Sequence, residues 1–390
     1  MRKRLWVIAL LLIPALVALA LTACGGQTAS QKLPDRIKVG FLSPLSGPFS
    51  SGGKAMQQSL EIAAEEINAS GGILGKQVEL VMGDTQGKGD VARSEALRLI
   101  EKEKAQMMIG AYLSEETNEV VEVAAEKKMI LIVPVSATNE ITAKVANNYD
   151  KYKYVFRVSY NINQWAELMG NFIKEQKVSN YAFAGVNIRW NHELAEALKA
   201  YLAGAGIIPV YEEYYSSKEP ALDPMLTAIK GRKPQLVVVG DPGQGSISFV
   251  KKARDFSLDA PLFSVGGSLG DARVASTLAP GSPLYFQAAA WSNSVEGKKY
   301  FEKFKDKFQY QPVGYSDTMP HDALVVLAQA VNKAGSLESD KVIKALETGG
   351  FKGNCGVYNF DKSHQAIWGS GKGLQGVVVE WKGATPVVKN

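Results

Sequence analysis

Cysteine is nearly absent, with two in 390 residues. A core this large cannot be stapled by disulfides and must come from apolar burial. Histidine is almost as scarce: His192, His321 and His364 lie far apart, without partners at metal-ligand spacing. Surface or capping roles are expected for them, and no metal site. After residue 24 no apolar run is long enough to cross a membrane, which excludes a multi-pass membrane protein. Net charge is also small. Arg2, Lys3 and Arg4 supply three of the five net positive charges, which leaves +2 on the rest of the chain. No basic field points to nucleic acid. A phosphate-binding G-x-x-x-x-G-K-[ST] loop and a G-x-S-x-G elbow are both missing, and no catalytic triad can be assembled. GKGLQG (371–376) fits G-x-G-x-x-G, but the VVVEWKG that follows reads as a strand, not the helix a dinucleotide site needs. No catalytic residue, cofactor or enzyme activity is expected.

What is present is the balance of a soluble globular chain: 46% hydrophobic and 21% charged residues, in a length that suits two to three domains. Residues 1–24, MRKRLWVIALLLIPALVALALTAC, read as a secretory signal, a basic stretch before an aliphatic run. The run ends in Leu21-Thr22-Ala23-Cys24, the order of a bacterial lipobox. Small residues let the backbone enter the signal peptidase, and the Cys24 thiol carries the lipid. Residues 25–34, GGQTASQKLP, read as a flexible tether. The expectation is an extracytoplasmic protein held to the membrane through Cys24. Cys355 then has no partner for a disulfide.

From Arg36 onward, short β-branched runs alternate with amphipathic stretches. RIKVGFL (36–42), QVELVMG (77–83), QMMIG (106–110) and MILIVPV (129–135) read as strands, with helical patterns at 53–69, 90–104 and 114–128. A second series follows, with strands at 180–186, 207–215, 234–240, 261–267 and 283–290 and helices between them. Such alternation means parallel βαβ units covered on both faces. The fold class is therefore α/β: two doubly wound parallel-sheet lobes joined by three hinge crossovers, placed near 155–158, 284–288 and 353–357. Residues 1–23 form the signal peptide and 24–35 the lipid-anchored linker. The first lobe takes 36–156 plus 286–353, and the second 157–285 plus 354–390. The basic, aromatic stretch at 294–312 is expected to be an amphipathic helix with a solvated face.

Open parallel sheets bind ligands beyond the carboxyl ends of their strands. Three successive loops there are rich in Ser, Thr and Gly: SPLSGPFSSGG (43–53), AYLSEET (111–117) and PVSATNE (134–140). Ser114 is placed to cap the helix that follows it, and Ser136 and Thr138 to cap a short turn. Hydroxyls and free N–H groups converging on one sheet edge suit a carboxylate.

IKVGFLSPLSGPFSSGGKAMQQSLEIAAEEINASGGILGKQVELVMGDTQG and MMIGAYLSEETNEVVEVAAEKKMILIVPVSATNEIT resemble the first lobe of the branched-chain amino acid-type (leucine/isoleucine/valine-binding-like) periplasmic binding proteins. These are the type I solute-binding components of ABC importers. FKGNCGVYNFD (351–361) resembles their late crossover, and the likeness runs over 36–390. It implies two lobes closing on a small solute. It also implies ligand contacts at Ser114, Ser136, Ala137 and Thr138 on the first lobe, and Trp190 and Asp241 on the second. One departure stands out. Where amino-acid binders often carry a glutamate for the ligand ammonium, this chain has about Gly267, and Asp241 is the candidate replacement. Gly52 sits where relatives carry a bulky wall residue, so a roomier pocket is expected.

The function expected is delivery of a small carboxylate-bearing solute, an amino acid of the branched-chain kind or a relative of it, to an ABC importer. The partners are that solute, the permease subunits and the membrane; nucleic acid is not among them, and a monomer is expected. An aromatic or aliphatic acid, an amide, or a sensor role toward a signalling partner remain open on these residues alone.

Overall fold

The structure is a computed structural model. It describes residues 33–389 apart from 219–220, 241, 266–267, 279, 290–294, 313 and 370–373. The signal and lipid-anchor readings at 1–24 and the candidate Asp241 therefore lie outside the described residues, as does Gly267.

The first sheet is parallel, in the order β2-β1-β3-β4-β5. Its strands are β1 (Arg36–Ser43), β2 (Gln77–Asp84), β3 (Met107–Ile109), β4 (Leu131–Val133) and β5 (Val155–Arg157). β3, β4 and β5 are buried at every residue, because helices cover both faces. Those helices are α1 (Ser50–Ala69), α2 (Gly89–Glu101), α3 (Ser114–Lys127) and α4 (Glu140–Asn147). Met56, Leu60, Ala63 and Ala64 recur at helical spacing on α1 and form one buried stripe.

The second sheet runs β14-β13-β10-β9-β8-β6-β7. Its strands are β6 (Asn180–Val186), β7 (Ile208–Tyr215), β8 (Val237–Gly240), β9 (Leu262–Ser264), β10 (Leu284–Ala288), β13 (Val377–Lys382) and β14 (Thr385–Lys389). It is parallel as far as β10, and β13 and β14 close it antiparallel. α5 (Ile162–Glu175) leads into its first strand, and α6 (Arg189–Ala203), α7 (Leu222–Arg232) and α8 (Gln244–Asp255) lie between the strands that follow.

After β10 the chain returns to the first lobe with α9 (Val295–Phe308), α10 (Tyr315–Ala334) and α11 (Ser339–Glu347), then the hairpin β11 (Phe351–Gly353) and β12 (Gly356–Tyr358). α10 packs along α1 with Ala323, Leu324, Leu327 and Val331 fully buried. Each buried leucine contributes about 1.5–3 kcal/mol. The basic, aromatic stretch buries Tyr300, Phe301 and Phe304 and turns Lys303 and Lys307 outward to Glu65 and Glu66.

Three sequence expectations need correction. β10 pairs along its length with β9 and β13, so the return to the first lobe comes after 288 and not at 286. Arg157 belongs to β5 of the first sheet, not to the second lobe. The third crossover is not at 353–357. That hairpin stays on the first lobe, where buried Asp322 of α10 accepts from the backbone N–H of Asn354 (2.7 Å) and Cys355 (2.8 Å) and from Tyr358 Oη (2.8 Å). The crossing strand runs later and beside the first one. Arg157 N–H donates to His364 O at 2.9 Å, Ala366 N–H donates to Arg157 O at 2.9 Å, and Trp368 Nε1 donates to Val158 O at 2.8 Å.

Two histidines are also not surface groups. His321 is 3% exposed and His364 1%. His321 sits between Glu66 (2.8 Å) and Asp322 (3.0 Å). Despite the opposing effect of burial, these carboxylates hold its imidazole above the usual range. His364 stacks on Phe156 with ring centroids 3.8 Å apart. Only His192 lies near the surface, bonded to Asn187 at 2.9 Å.

Candidate functional site

The parallel strands β3 and β4 end at one edge, and the chain leaving each must turn there. After β3 it enters α3 at Ser114. Leu113 occupies the N-cap position and has no side chain able to cap. Glu116 does that work from inside the first turn, where Oε2 accepts the Leu113 N–H at 2.7 Å. Thr85 Oγ1 donates to its other oxygen. Glu116 is fully buried, and that burial pushes its carboxyl up to about 7. Ser114 is thus not the helix cap expected from the sequence. Its Oγ is buried and has no hydrogen-bond partner among the described residues.

The loop after β4 is held by a residue the sequence reading missed. Arg157, at the end of β5, is 0% exposed. Its guanidinium donates to Thr138 O (2.6 Å), Ser136 O (3.4 Å), Thr142 Oγ1 (3.0 Å) and Gln365 Oε1 (2.5 Å). Burial pushes it down to about 9, so it stays charged near neutrality. With its carbonyl turned to Arg157, Ser136 keeps its Oγ buried and again without a partner among the described residues.

Ser114, Ser136, Ala137 and Trp190 line one cavity. The other lining residues are Tyr112, Leu113, Val135 and Tyr315 from the first lobe, and Trp165, Ile188 and Pro242 from the second. Thr138 is not among them. Its Oγ1 accepts from Glu140 N–H at 3.4 Å and donates across the cleft to Glu193 Oε1 at 3.0 Å. Asp241 lies outside the described residues, although its neighbour Pro242 is at the cavity wall.

Gly52 does not enlarge the cavity. A Cβ there would stand 2.4 Å from Tyr112 Oη, so the Tyr112 ring takes the space that the glycine leaves. Four aromatic side chains surround the two serines, and Trp165 meets Tyr315 edge to face at 5.6 Å. Tyr112 stands two residues before Ser114 in a loop already singled out, and its place there was the available signal. Trp165 and Tyr315 look like ordinary amphipathic-helix residues.

Among the described lining residues there is no carboxylate, ammonium, guanidinium or imidazole. The space left is about 20 Å³, room for roughly one water. Among the described residues no cluster of three or more His, Cys, Asp or Glu could hold a metal, and no helix is long and apolar enough to cross a membrane.

The model of the family described as "Periplasmic binding protein" matches residues 36–375. The chain belongs to that family. The binding protein is also similar to the leucine-, isoleucine-, valine-, threonine- and alanine-binding protein of Pseudomonas aeruginosa, with 25% identity over 93% of this chain and 94% of that one. Among solved structures it resembles a leucine-binding protein from Thermotoga maritima, with TM-score 0.79, 21% identity, and 91% of this chain and 98% of that one covered. It likewise resembles a solute-binding protein of an ABC transporter from R. palustris in complex with benzoate, with TM-score 0.79, 20% identity, and 90% and 95% covered. The two-lobed α/β architecture is the type I periplasmic binding protein fold, and the family binds solutes without transforming them.

Proposed function

We propose that this chain is an extracytoplasmic, lipid-anchored receptor that captures a small carboxylate-bearing solute and delivers it to an ABC importer. One observation carries the reading. Two serine hydroxyls, Ser114 and Ser136, are buried at the cavity wall without partners among the described residues. A buried hydroxyl left unbonded costs about 1–3 kcal/mol, so the site is complete only with an acceptor between them. The positive end of α3 adjoins the same point and favours an anion there. The solute binds the closed form more tightly than the open one, and closure presents the liganded surface to the permease.

The relatives' solutes span two chemistries, small aliphatic and hydroxyl-bearing amino acids and an aromatic acid. An amino acid also brings an ammonium, which needs a negative partner when buried. Asp241 is the candidate for that role. A second reading, an aromatic acid, is favoured by the aromatic walls Tyr112, Trp165, Trp190 and Tyr315 and by the lack of a charged group among the described lining residues.

Calorimetric titration of the full chain with L-leucine, L-isoleucine, benzoate and benzamide tests the site. A carboxylate should bind and the amide should not. Ser114→Ala should weaken binding by about 1–3 kcal/mol, the worth of a hydrogen bond to a charged group. Equal binding by the alanine variant would sink the reading. The anchor rests on Leu21-Thr22-Ala23-Cys24. Cys24→Ser should move the protein from the membrane to the soluble fraction, and retention would refute lipidation.

A further inference from the structure

One turn of α6 on the second lobe meets the rim of the first. Ile188, the residue before that helix, offers no side-chain cap. The cap comes from the other lobe, where Glu115 Oε1 accepts the Arg189 N–H at 3.2 Å. A carboxylate at a helix N-terminus is favourable both as an acceptor and toward the helix dipole.

The same turn makes two more crossings. The Arg189 guanidinium reaches Glu140 Oε2 of the first lobe at 2.6 Å and Glu193 Oε1 of its own helix at 2.6 Å. Glu193 Oε1 also accepts from Thr138 Oγ1 at 3.0 Å. Trp190 lies between Arg189 and Glu193 in sequence, is 8% exposed and forms part of the cavity wall.

We propose that Glu115, Glu140, Arg189, Glu193 and Thr138 form a latch that completes only when the lobes meet, and that Arg189 and Glu193 are positioning residues setting Trp190 over the solute. This rests on the reading of the cavity as the solute site. It also gives Thr138 a different role: its hydroxyl holds the lobes together and leaves the solute to Ser114 and Ser136. Every cross-lobe partner of the turn sits on or beside a loop that builds the cavity. Glu115 follows Ser114, and Glu140 follows the Ser136–Thr138 loop. Closing the latch and closing the site are therefore one motion. Arg189 is 45% exposed, so each ionic contact is weak alone and is screened by salt. The latch therefore acts on how long a solute stays.

The test uses the full chain labelled with 5-fluorotryptophan, the Trp190 resonance being assigned through Trp190→Phe. In the protein closed on L-leucine or benzoate, whichever binds, Arg189→Ala should move the Trp190 resonance and leave the other tryptophans in place. Arg189→Lys keeps the charge, and Glu193→Gln keeps an acceptor for Thr138, so in each of these variants the resonance should stay near its wild-type position. With L-leucine or benzoate, whichever binds, Arg189→Ala should speed dissociation about two- to five-fold at low salt, and the difference should vanish at high salt. A Trp190 resonance that stays put in Arg189→Ala, or that moves only together with all the others, overturns the latch. Binding by neither probe defeats the solute reading; the latch is then decided by small-angle scattering of the solute-free protein at low salt, where Arg189→Ala should enlarge the particle and an unchanged radius of gyration overturns it.

Discussion

The two walls of the cleft are built differently. On the first lobe, Ser114 and Ser136 are presented by loops tied from below by buried charged side chains. Glu116 fixes the start of α3, and Arg157 grips the carbonyls of Ser136 and Thr138. On the second lobe, Trp190 rides on a helix whose first turn has no cap of its own and is completed by Glu115, Glu140 and Thr138 of the opposite wall. One wall is preorganised and the other is organised by closure. The preorganised wall can hold a charged group at low entropic cost. The dependent wall is free to move with its lobe, and the space it leaves beside the serines is about 20 Å³.

The strongest way to break this contrast is Arg157→Met. It leaves the carbonyl of Thr138 without its Arg157 donor and that of Ser136 with Ser159 Oγ alone at 3.4 Å, at about 1–3 kcal/mol for a buried acceptor left unbonded. Part of that loss is offset, because a buried cation with no carboxylate bonded to it is itself costly. A net loss of about 1–2 kcal/mol is expected in urea unfolding, with solute affinity falling further as the Ser136 loop loosens. A variant as stable as the wild type, with unchanged affinity, would mean that the loop is held by something other than Arg157.

The same contrast explains what the sequence revealed. Alternating apolar strands and amphipathic helices follow periodicity, so both lobes were legible from Arg36 onward. That the serine loops meet at one candidate site was legible too, because the strand ends of a parallel sheet gather at one edge. The supports beneath them were not. Arg157 reads as an ordinary charged strand end in YKYVFRVS, and only the parallel run of Val155–Arg157 beside His364–Ala366 shows that it is sealed from water. His321 was missed as a buried group for the same reason, since its neighbours Glu66 and Asn354 are remote in sequence. The third crossover was misplaced because FKGNCGVYNFD looks like a hinge strand, while Asp322 holds its first half as a hairpin against α10. Thr138 was assigned by the company of Ser136. Its partner Glu193 lies on the other lobe, a distance no local pattern encodes.

A smaller effect sharpens the comparison, because it touches the first wall alone. Burial pushes the Glu116 carboxyl up to about 7, from 4.5 when unfolded. The folded chain therefore holds this proton more tightly than the unfolded chain. Its contribution to stability is full below pH 4.5 and declines as pH rises toward 7. Above that, the ionised carboxylate remains as a penalty. Glu116→Gln keeps an acceptor for Leu113 N–H and cannot ionise. Its stability should match the wild type in denaturant titrations near pH 4.5 and exceed it at pH 8, by about 1–3 kcal/mol for a shift of this direction and size. The charge also sits two residues from Ser114. Solute carboxylate affinity should therefore fall with rising pH in the wild type and stay flat in Glu116→Gln, while the salt-sensitive dissociation set at Arg189 stays the same in both. If Glu116→Gln alters the salt dependence as well, the two walls are not independent and the contrast between them fails.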